Sequence, residues 1–429
     1  MILVFLFGTP WTPSITGYRS HNLQPITDDS SKSGPALETG GTESGTIRKI
    51  VWKGAIDIWK HYPLSGSGVE TFAFSYYQFR PAEHNLVSEW DFIYNKAHNE
   101  YLNYAATTGT VGLLSYLLLI GAILFLMTKE AGIMNMESGK SRSEHSISNI
   151  QYSIFAGFVS ILVTNFFGFS VVVTNLLFFL FPAMAVVIGH TTKDIQQREK
   201  LATTNSQKVL IFFVLCSMLY VLTTIGRYWY ADFLYAKGKD QSEKEPLNSV
   251  RLVNWAVKLS PNEAIFHDEL ARLKSSLSIS LLEENNASSA ASLLSSAARD
   301  SDVAIALSPR NLNIKKSRAN VFLLLSEIDS SYMSEVIATL EEISTLAPTD
   351  AKIFYNLGLS FGQANDSQNA IKNLQKAVEL KGDFRNARFA LALFYIEAGQ
   401  NDRAKKELLY ILEKIDPNDS LATQKLQEL

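Results

Sequence analysis

The sequence predicts an all-α protein in two parts, a polytopic helical membrane domain followed by an α-solenoid. Three observations carry this. Uncharged apolar runs recur up to about residue 230; beyond it the chain turns charged and rich in Ala, Leu and Ser; and from residue 351 a 34-residue spacing of large and small apolar residues repeats. With 429 residues there is room for two or three domains of about 100–200 residues each. A net charge of −3 argues against nucleic acid as the main partner. The lone cysteine, Cys216, lies in an apolar run, which excludes an intramolecular disulfide and a thiol cluster for zinc or iron–sulfur.

Residues 1–17 read as the remnant of a membrane helix. Met1–Phe7 is apolar but falls short of the roughly 20 residues a crossing needs. It also lacks the basic start and small-residue cleavage site of a signal peptide. Residues 18–104 read as an extracytoplasmic loop. Tyr18 to Thr46 is mostly Ser, Thr, Gly, Asp, Asn and Pro, too polar to offset the entropy of ordering it, and is expected to be loop or disorder. From Arg48, the residues Ile50, Val51, Ala55, Ile56, Ile58 and Trp59 recur at helical spacing and predict a short amphipathic helix ending before His61-Tyr62-Pro63. Pro63-Leu64-Ser65-Gly66-Ser67-Gly68 is then a tight glycine turn. An aromatic segment with Tyr76, Tyr77, Phe79, Trp90, Phe92 and Tyr94 leads to His98.

Residues 105–229 predict four transmembrane helices. Ala105 to Met127 is the first, and the uncharged run Ser146 to Thr192 has 47 residues. As helix that run spans about 70 Å at ~1.5 Å per residue, enough for two crossings of a ~30 Å core, divided near Gly168. Val209 to Gly226 is the fourth, closed by Arg227 and the aromatic girdle Tyr228-Trp229-Tyr230. An even number of crossings puts the His98 loop on the same side as everything after Arg227. The linkers on the opposite side carry Lys129, Lys140 and Arg142, then Lys193, Arg198, Lys200 and Lys208, which makes them cytoplasmic by the positive-inside rule. The loop and residues 230–429 are therefore expected outside the cytoplasm.

In that last part, Ala351 opens a unit with Phe354, Leu357, Gly358, Phe361, Ala370, Leu374 and Ala377 at the alternating large and small positions. Arg385 opens another with Leu391, Ala392, Tyr395, Gly399, Ala404, Leu408 and Ile411. Leu259-Ser260-Pro261, Leu307-Ser308-Pro309 and Leu346-Ala347-Pro348 resemble unit ends of more degenerate copies. The pattern resembles the tetratricopeptide repeat, a helical hairpin whose apolar face only its neighbours cover, so that a row of them makes a solenoid with a concave face. That resemblance implies a protein partner, with a spacer or stabilising role as the bland alternative.

The chemistry-bearing pattern lies before the first span. His98-Asn99 is followed after nine residues by Gly109 and Gly112, at the mouth of the apolar run. Upstream stand Arg48 with Trp52 and Ala55, and the Pro63–Gly68 turn. Four elements in this order over about residues 45 to 190 resemble the O-antigen ligase and polymerase family, here present as its C-terminal half. The resemblance implies a glycosyltransferase moving a glycan from a polyprenyl-diphosphate carrier to a hydroxyl acceptor, in a bacterial inner membrane, without metal or cofactor. By it Arg48 would bind the diphosphate, His98 would activate the acceptor, Asn99 would orient the imidazole or bond the glycan, and Gly109 and Gly112 would permit close helix packing. The residue chemistry agrees: a leaving diphosphate gathers negative charge that a guanidinium offsets. A histidine with an ordinary pKa near 6.5 is a natural base for a hydroxyl.

Competing readings follow from the same residues. Arg48 beside Lys49 can be plain surface charge, and a histidine at a helix start a cap or interfacial residue; Arg80 and Lys96 read as solvated loop charge before phosphate contacts. His61, His84 and His98 lack the paired spacing of a zinc site, and Gly66 with Gly68 lacks the strand and third glycine of a dinucleotide fingerprint. An exporter would carry ionisable residues within its spans, and Tyr101–Thr128 and Ser146–Thr192 contain no Asp, Glu, Lys or Arg. The family's usual ten or more crossings, with a further exterior arginine upstream, are not matched; a non-catalytic membrane-anchored tetratricopeptide scaffold for a surface-polysaccharide assembly complex is the alternative.

Overall fold

A computed structural model describes residues 42–92, 94–130, 142–189, 205–284 and 286–429. The expectations for residues 1–17, for the loop up to residue 41 and for most of the two basic linkers lie outside them. Every regular element among the described residues is helical. The described residues divide into two compact units, one from residue 42 to 189 with Ala347–Asp350, the other from residue 205 to Leu346 with Ala351–Leu429.

The first unit opens with α1, Ser44–His61. It starts earlier than its polar neighbourhood suggested, so the loop expected to run to Thr46 stops short, and Thr42 exchanges two hydrogen bonds with Ser88. Ile47, Val51, Ala55 and Ile58 fall three or four residues apart and form one buried face, as the helical period requires. That face packs against Phe72 and Tyr76 of α2 (Phe72–Phe79), and against Val87, Tyr94, Ala97 and Ala106. Burying each of the larger side chains stabilises this small core by roughly 1.5–3 kcal/mol.

α3 (Glu100–Glu130), α4 (Arg142–Phe167) and α5 (Val172–Gly189) complete the unit. Tyr116, Ile120 and Met127 of α3 meet Ile154, Phe158 and Ile161 of α4 and Phe178 of α5. The long uncharged run divides at Gly168, where α4 ends, and Glu100 accepts a hydrogen bond from the Ser170 amide in the turn. Tyr101 ties the other side by donating to the Leu162 carbonyl at 3.0 Å.

The second unit begins with α6, Asn205–Asp240, continuous through the place where composition put the end of the membrane part. Its apolar stretch is exposed on all sides and only Ala231, Leu234 and Gly238 are buried, against α7 (Pro246–Leu259). An apolar surface all round a helix is that of a lipid-facing span. Helical hairpins follow: α8 (Ala264–Glu283) with α9 (Ala287–Leu307), α10 (Leu312–Ser326) with α11 (Met333–Leu346), α12 (Ala351–Gln363) with α13 (Ser367–Leu380), and α14 (Arg385–Glu397) with α15 (Asn401–Tyr410), then α16 (Ser420–Gln427). The three Leu-x-Pro triplets each sit at a helix end, after α7, α9 and α11, as proline following a helix predicts.

By length and composition three of the described helices can cross a membrane: Glu100–Lys129, Ile150–Phe167 and Asn205–Asp240. The third expected span, the second half of the run Ser146 to Thr192, is the apolar helix Val172–Ile188, shorter than the other three.

Candidate active site

The site grows out of a break in α3. At Gly109 the backbone leaves helical geometry, with φ +66° and ψ −168°. A break of this kind strands amides and carbonyls that the helix would have paired. The Pro63–Gly68 turn takes them up: the amides of Ser67 and Gly68 donate to the carbonyls of Ala106 and Thr107 at 2.9 Å, and those of Thr110 and Val111 donate to Pro63 and Leu64 at 2.8 and 3.3 Å. Trp59 of α1 adds a bond from Nε1 to Thr110 Oγ1 at 3.0 Å. Gly66 and Gly109 both hold positive φ, and a Cβ on either would stand 2.3 Å from the other segment's backbone. Gly66 and Gly109 therefore let a turn enter a helix break, where Gly109 was expected to let helix pack on helix. Gly112 differs, since a Cβ there would meet the Thr108 side chain one turn earlier in the same helix.

His98 stands just before this helix with φ +53°, the left-handed region that non-glycine residues seldom occupy. Both neighbours are buried and pinned: the Ala97 amide donates to Asn103 Oδ1 at 3.3 Å, and Asn99 Oδ1 accepts from the Leu102 amide at 2.9 Å. Asn99 is thus the N-cap of α3, and its carbonyl side is committed to the helix and not to the imidazole. The His98 ring sits edge-on between Tyr94 and Phe169, with centroids 5.5 and 5.2 Å away. Among the described residues neither ring nitrogen has a hydrogen-bond partner.

Arg48 comes from the first turns of α1, half-buried and, among the described residues, without a hydrogen bond or ion pair. It is near enough to His98 for its charge to act on the imidazole. Burial, and then Arg48, hold the His98 pKa below the usual histidine value, while Glu89 pulls the other way. The structure therefore brings together Arg48 and His98, fifty residues apart in sequence, and leaves the imidazole neutral near pH 7, the form a base requires.

The other singled-out residues have structural partners. Arg80 is buried and donates to Asn85 Oδ1 at 3.0 Å and to the Trp90 carbonyl, so it is no solvated charge. Lys96 is paired with Glu70 at 2.5 Å. Trp52 lies edge-on to Phe166 at 5.9 Å. His84 is fully buried, with Nδ1 on the Tyr76 hydroxyl at 2.8 Å and Nε2 on the Glu89 carbonyl at 3.3 Å. That fixes a neutral ring with its proton on Nε2, and burial lowers its pKa to about 4. His61 rests against Tyr62 and Phe79, and no cluster of three metal-ligating side chains occurs among the described residues.

Residues 1–117 match the model of the O-antigen ligase family, and residues 351–384 match that of the tetratricopeptide repeat. The chain joins a segment that matches the O-antigen ligase family to one that matches the tetratricopeptide repeat. The ligase match lies at the N-terminal end of the chain and stops within α3; it holds Arg48, the glycine turn, His98, Asn99, Gly109 and Gly112 but does not extend to residue 190 as the motif reading did. Among solved structures, MamA 41-end from Desulfovibrio magneticus RS-1 is 17% identical over 44% of this chain and 98% of its own, with a TM-score of 0.35. A thermophilic tetratricopeptide protein of Thermus thermophilus is 20% identical over 46% of this chain and 97% of its own, with a TM-score of 0.32. Likeness at that level adds nothing to the function. No curated protein matches the chain.

Glu89 carried no signal in the sequence, and Tyr94 was legible only as one of an aromatic segment. Tyr94 meets the His98 ring and Glu89 meets the Tyr94 hydroxyl, contacts that no periodicity in this segment relates.

Proposed function

We propose that the Arg48 and His98 pair transfers a glycan from a polyprenyl-diphosphate carrier to a hydroxyl acceptor, at the outer face of a bacterial inner membrane. The observation that carries this reading is a half-buried guanidinium with no partner among the described residues beside a neutral imidazole with free ring nitrogens. Both lie within the ligase match. In the reaction, His98 takes the proton of the acceptor hydroxyl as its oxygen bonds to the anomeric carbon. The bond from that carbon to the carrier phosphate oxygen breaks with inversion, and the polyprenyl diphosphate leaves with the electron pair, its charge offset by Arg48. The proton ends on His98 and passes to solvent or to the departing phosphate. Asn99 holds the backbone that presents the ring. The repeats, on the same side of the membrane, offer a concave face to a protein partner of the assembly.

The test is consumption of lipid-linked glycan by membranes carrying the full chain. We expect His98→Ala to lower it by at least about 10²-fold at equal protein level, as loss of a general base does, and Arg48→Ala to lower it as well. Undiminished consumption in both variants would remove the transferase roles. If wild-type membranes consume none while the repeats capture a partner, the chain is instead a membrane-anchored tetratricopeptide scaffold, the reading its repeats favour.

A further inference from the structure

A base that takes a proton becomes a cation, and the surroundings of His98 oppose that twice, through burial and through Arg48. One carboxylate, Glu89, acts in the opposite sense. Glu89 is half-buried, and the Tyr94 hydroxyl donates to its Oε2 while the Tyr94 ring lies against His98 at 5.5 Å. The main chain of Glu89 is held too, because its carbonyl receives Nε2 of the buried His84, which the Tyr76 hydroxyl anchors in turn. The His84 and Tyr94 rings meet edge-on at 5.1 Å, so the carboxylate is fixed from backbone and tip together. We infer that Glu89, held by Tyr94, is the charge-balancing and positioning residue of His98, stabilising the imidazolium that forms when the acceptor hydroxyl is deprotonated.

The inference rests on the transferase reading for its purpose, and on the geometry for its substance. Among the described residues the charges that act on His98 are Arg48 of α1 and Glu89, and the rings against it are Tyr94 and, from the turn after α4, Phe169. Lys96, two residues away, is already paired with Glu70. Tyr94 stays a donor at all working pH values, because burial and the carboxylate raise its pKa far above neutrality. His84 stays neutral and adds no charge near pH 7. The charges that decide the imidazole are thus one cation and one anion. A bound diphosphate would offset the cation, leaving Glu89 to favour the protonated ring at the moment it forms.

The experiment is a histidine-labelled NMR titration of the full-length protein in lipid nanodiscs, with the His98 signal assigned by its loss in His98→Asn, a residue that tolerates the left-handed backbone. We expect Glu89→Gln to lower the His98 pKa by about one unit, the scale of a nearby opposite charge. Tyr94→Phe, which keeps the ring and releases the carboxylate, should move it the same way by less, and Glu89→Asp should restore it in part. In transfer assays the acid limb of the Glu89→Gln pH profile should move down with the pKa, and the plateau should drop about three- to tenfold as the base weakens. An unmoved His98 titration in folded Glu89→Gln overturns the inference whether or not the chain transfers glycan. A moved titration with His98 dispensable for transfer would overturn the transferase reading and leave the charge pair standing.

Discussion

His98 holds a backbone conformation that costs of order 1–3 kcal/mol for a side-chain-bearing residue and persists only where its surroundings enforce it. Here the enforcement is visible in the buried, hydrogen-bonded neighbours Ala97 and Asn99. His84 sets a second residue-scale expectation. Its folded pKa of about 4 lies below the ordinary histidine value, so the folded state resists protonation. Stability from this group is therefore whole above about pH 6.5 and is lost as pH falls toward about 4, by at most roughly 3 kcal/mol at 1.36 kcal/mol per unit. Denaturant unfolding of the first unit followed across that range checks it: the slope with pH should flatten in His84→Gln, which cannot titrate. The sequence singles out Arg48 and His98 through the motif that resembles the O-antigen ligase family, and the chemistry of a leaving diphosphate agrees with those two residue types. It did not link Glu89 or Tyr94 to the site: Tyr94 meets the His98 ring, and Glu89 meets Tyr94, only once the segment before His98 has folded around Tyr76 and His84.

At the scale of elements, the helix break at Gly109 and the Pro63–Gly68 turn complete each other's hydrogen bonds. Gly109→Ala would both strain a positive φ and drive a methyl into the Leu64 backbone. We expect it to destabilise the first unit by more than about 1 kcal/mol, read as a lowered unfolding midpoint. Gly112→Ala meets the Thr108 side chain first, so its defect should be relieved by Thr108→Ala in the double variant, while no such relief should rescue Gly109→Ala. Glycine pairs at Pro63–Gly68 and Gly109–Gly112 marked both places in the sequence, yet not that they meet, since backbone pairing between segments forty residues apart leaves no trace in either. Helix α2 was hidden for another reason. Eight residues dense in aromatics have too short a run to show a period, and its burial is set by the α1 face. The repeats were legible nearly residue by residue, because each unit carries its own packing positions: Leu357, Gly358, Ala370, Leu374 and Ala377 are all buried as spaced.

Across the whole molecule, composition separated an apolar part from a water-compatible one, but the boundaries drawn near residues 104 and 229 fall inside α3, ahead of its break at Gly109, and inside the continuous helix α6. A helix can carry a lipid-facing stretch and a docked stretch without interruption, and only packing tells the two apart. The central claim concerns the other end of the chain, where a ligase-type segment sets Arg48 beside His98. The measurement that tests it most directly is single-turnover release of polyprenyl diphosphate from a bound lipid-linked glycan, by the purified full chain reconstituted in lipid, with carrier binding measured alongside. The account predicts that His98→Gln binds the carrier as wild type does and fails to release the diphosphate, while Arg48→Gln loses both. Release at the wild-type rate from His98→Gln would contradict it.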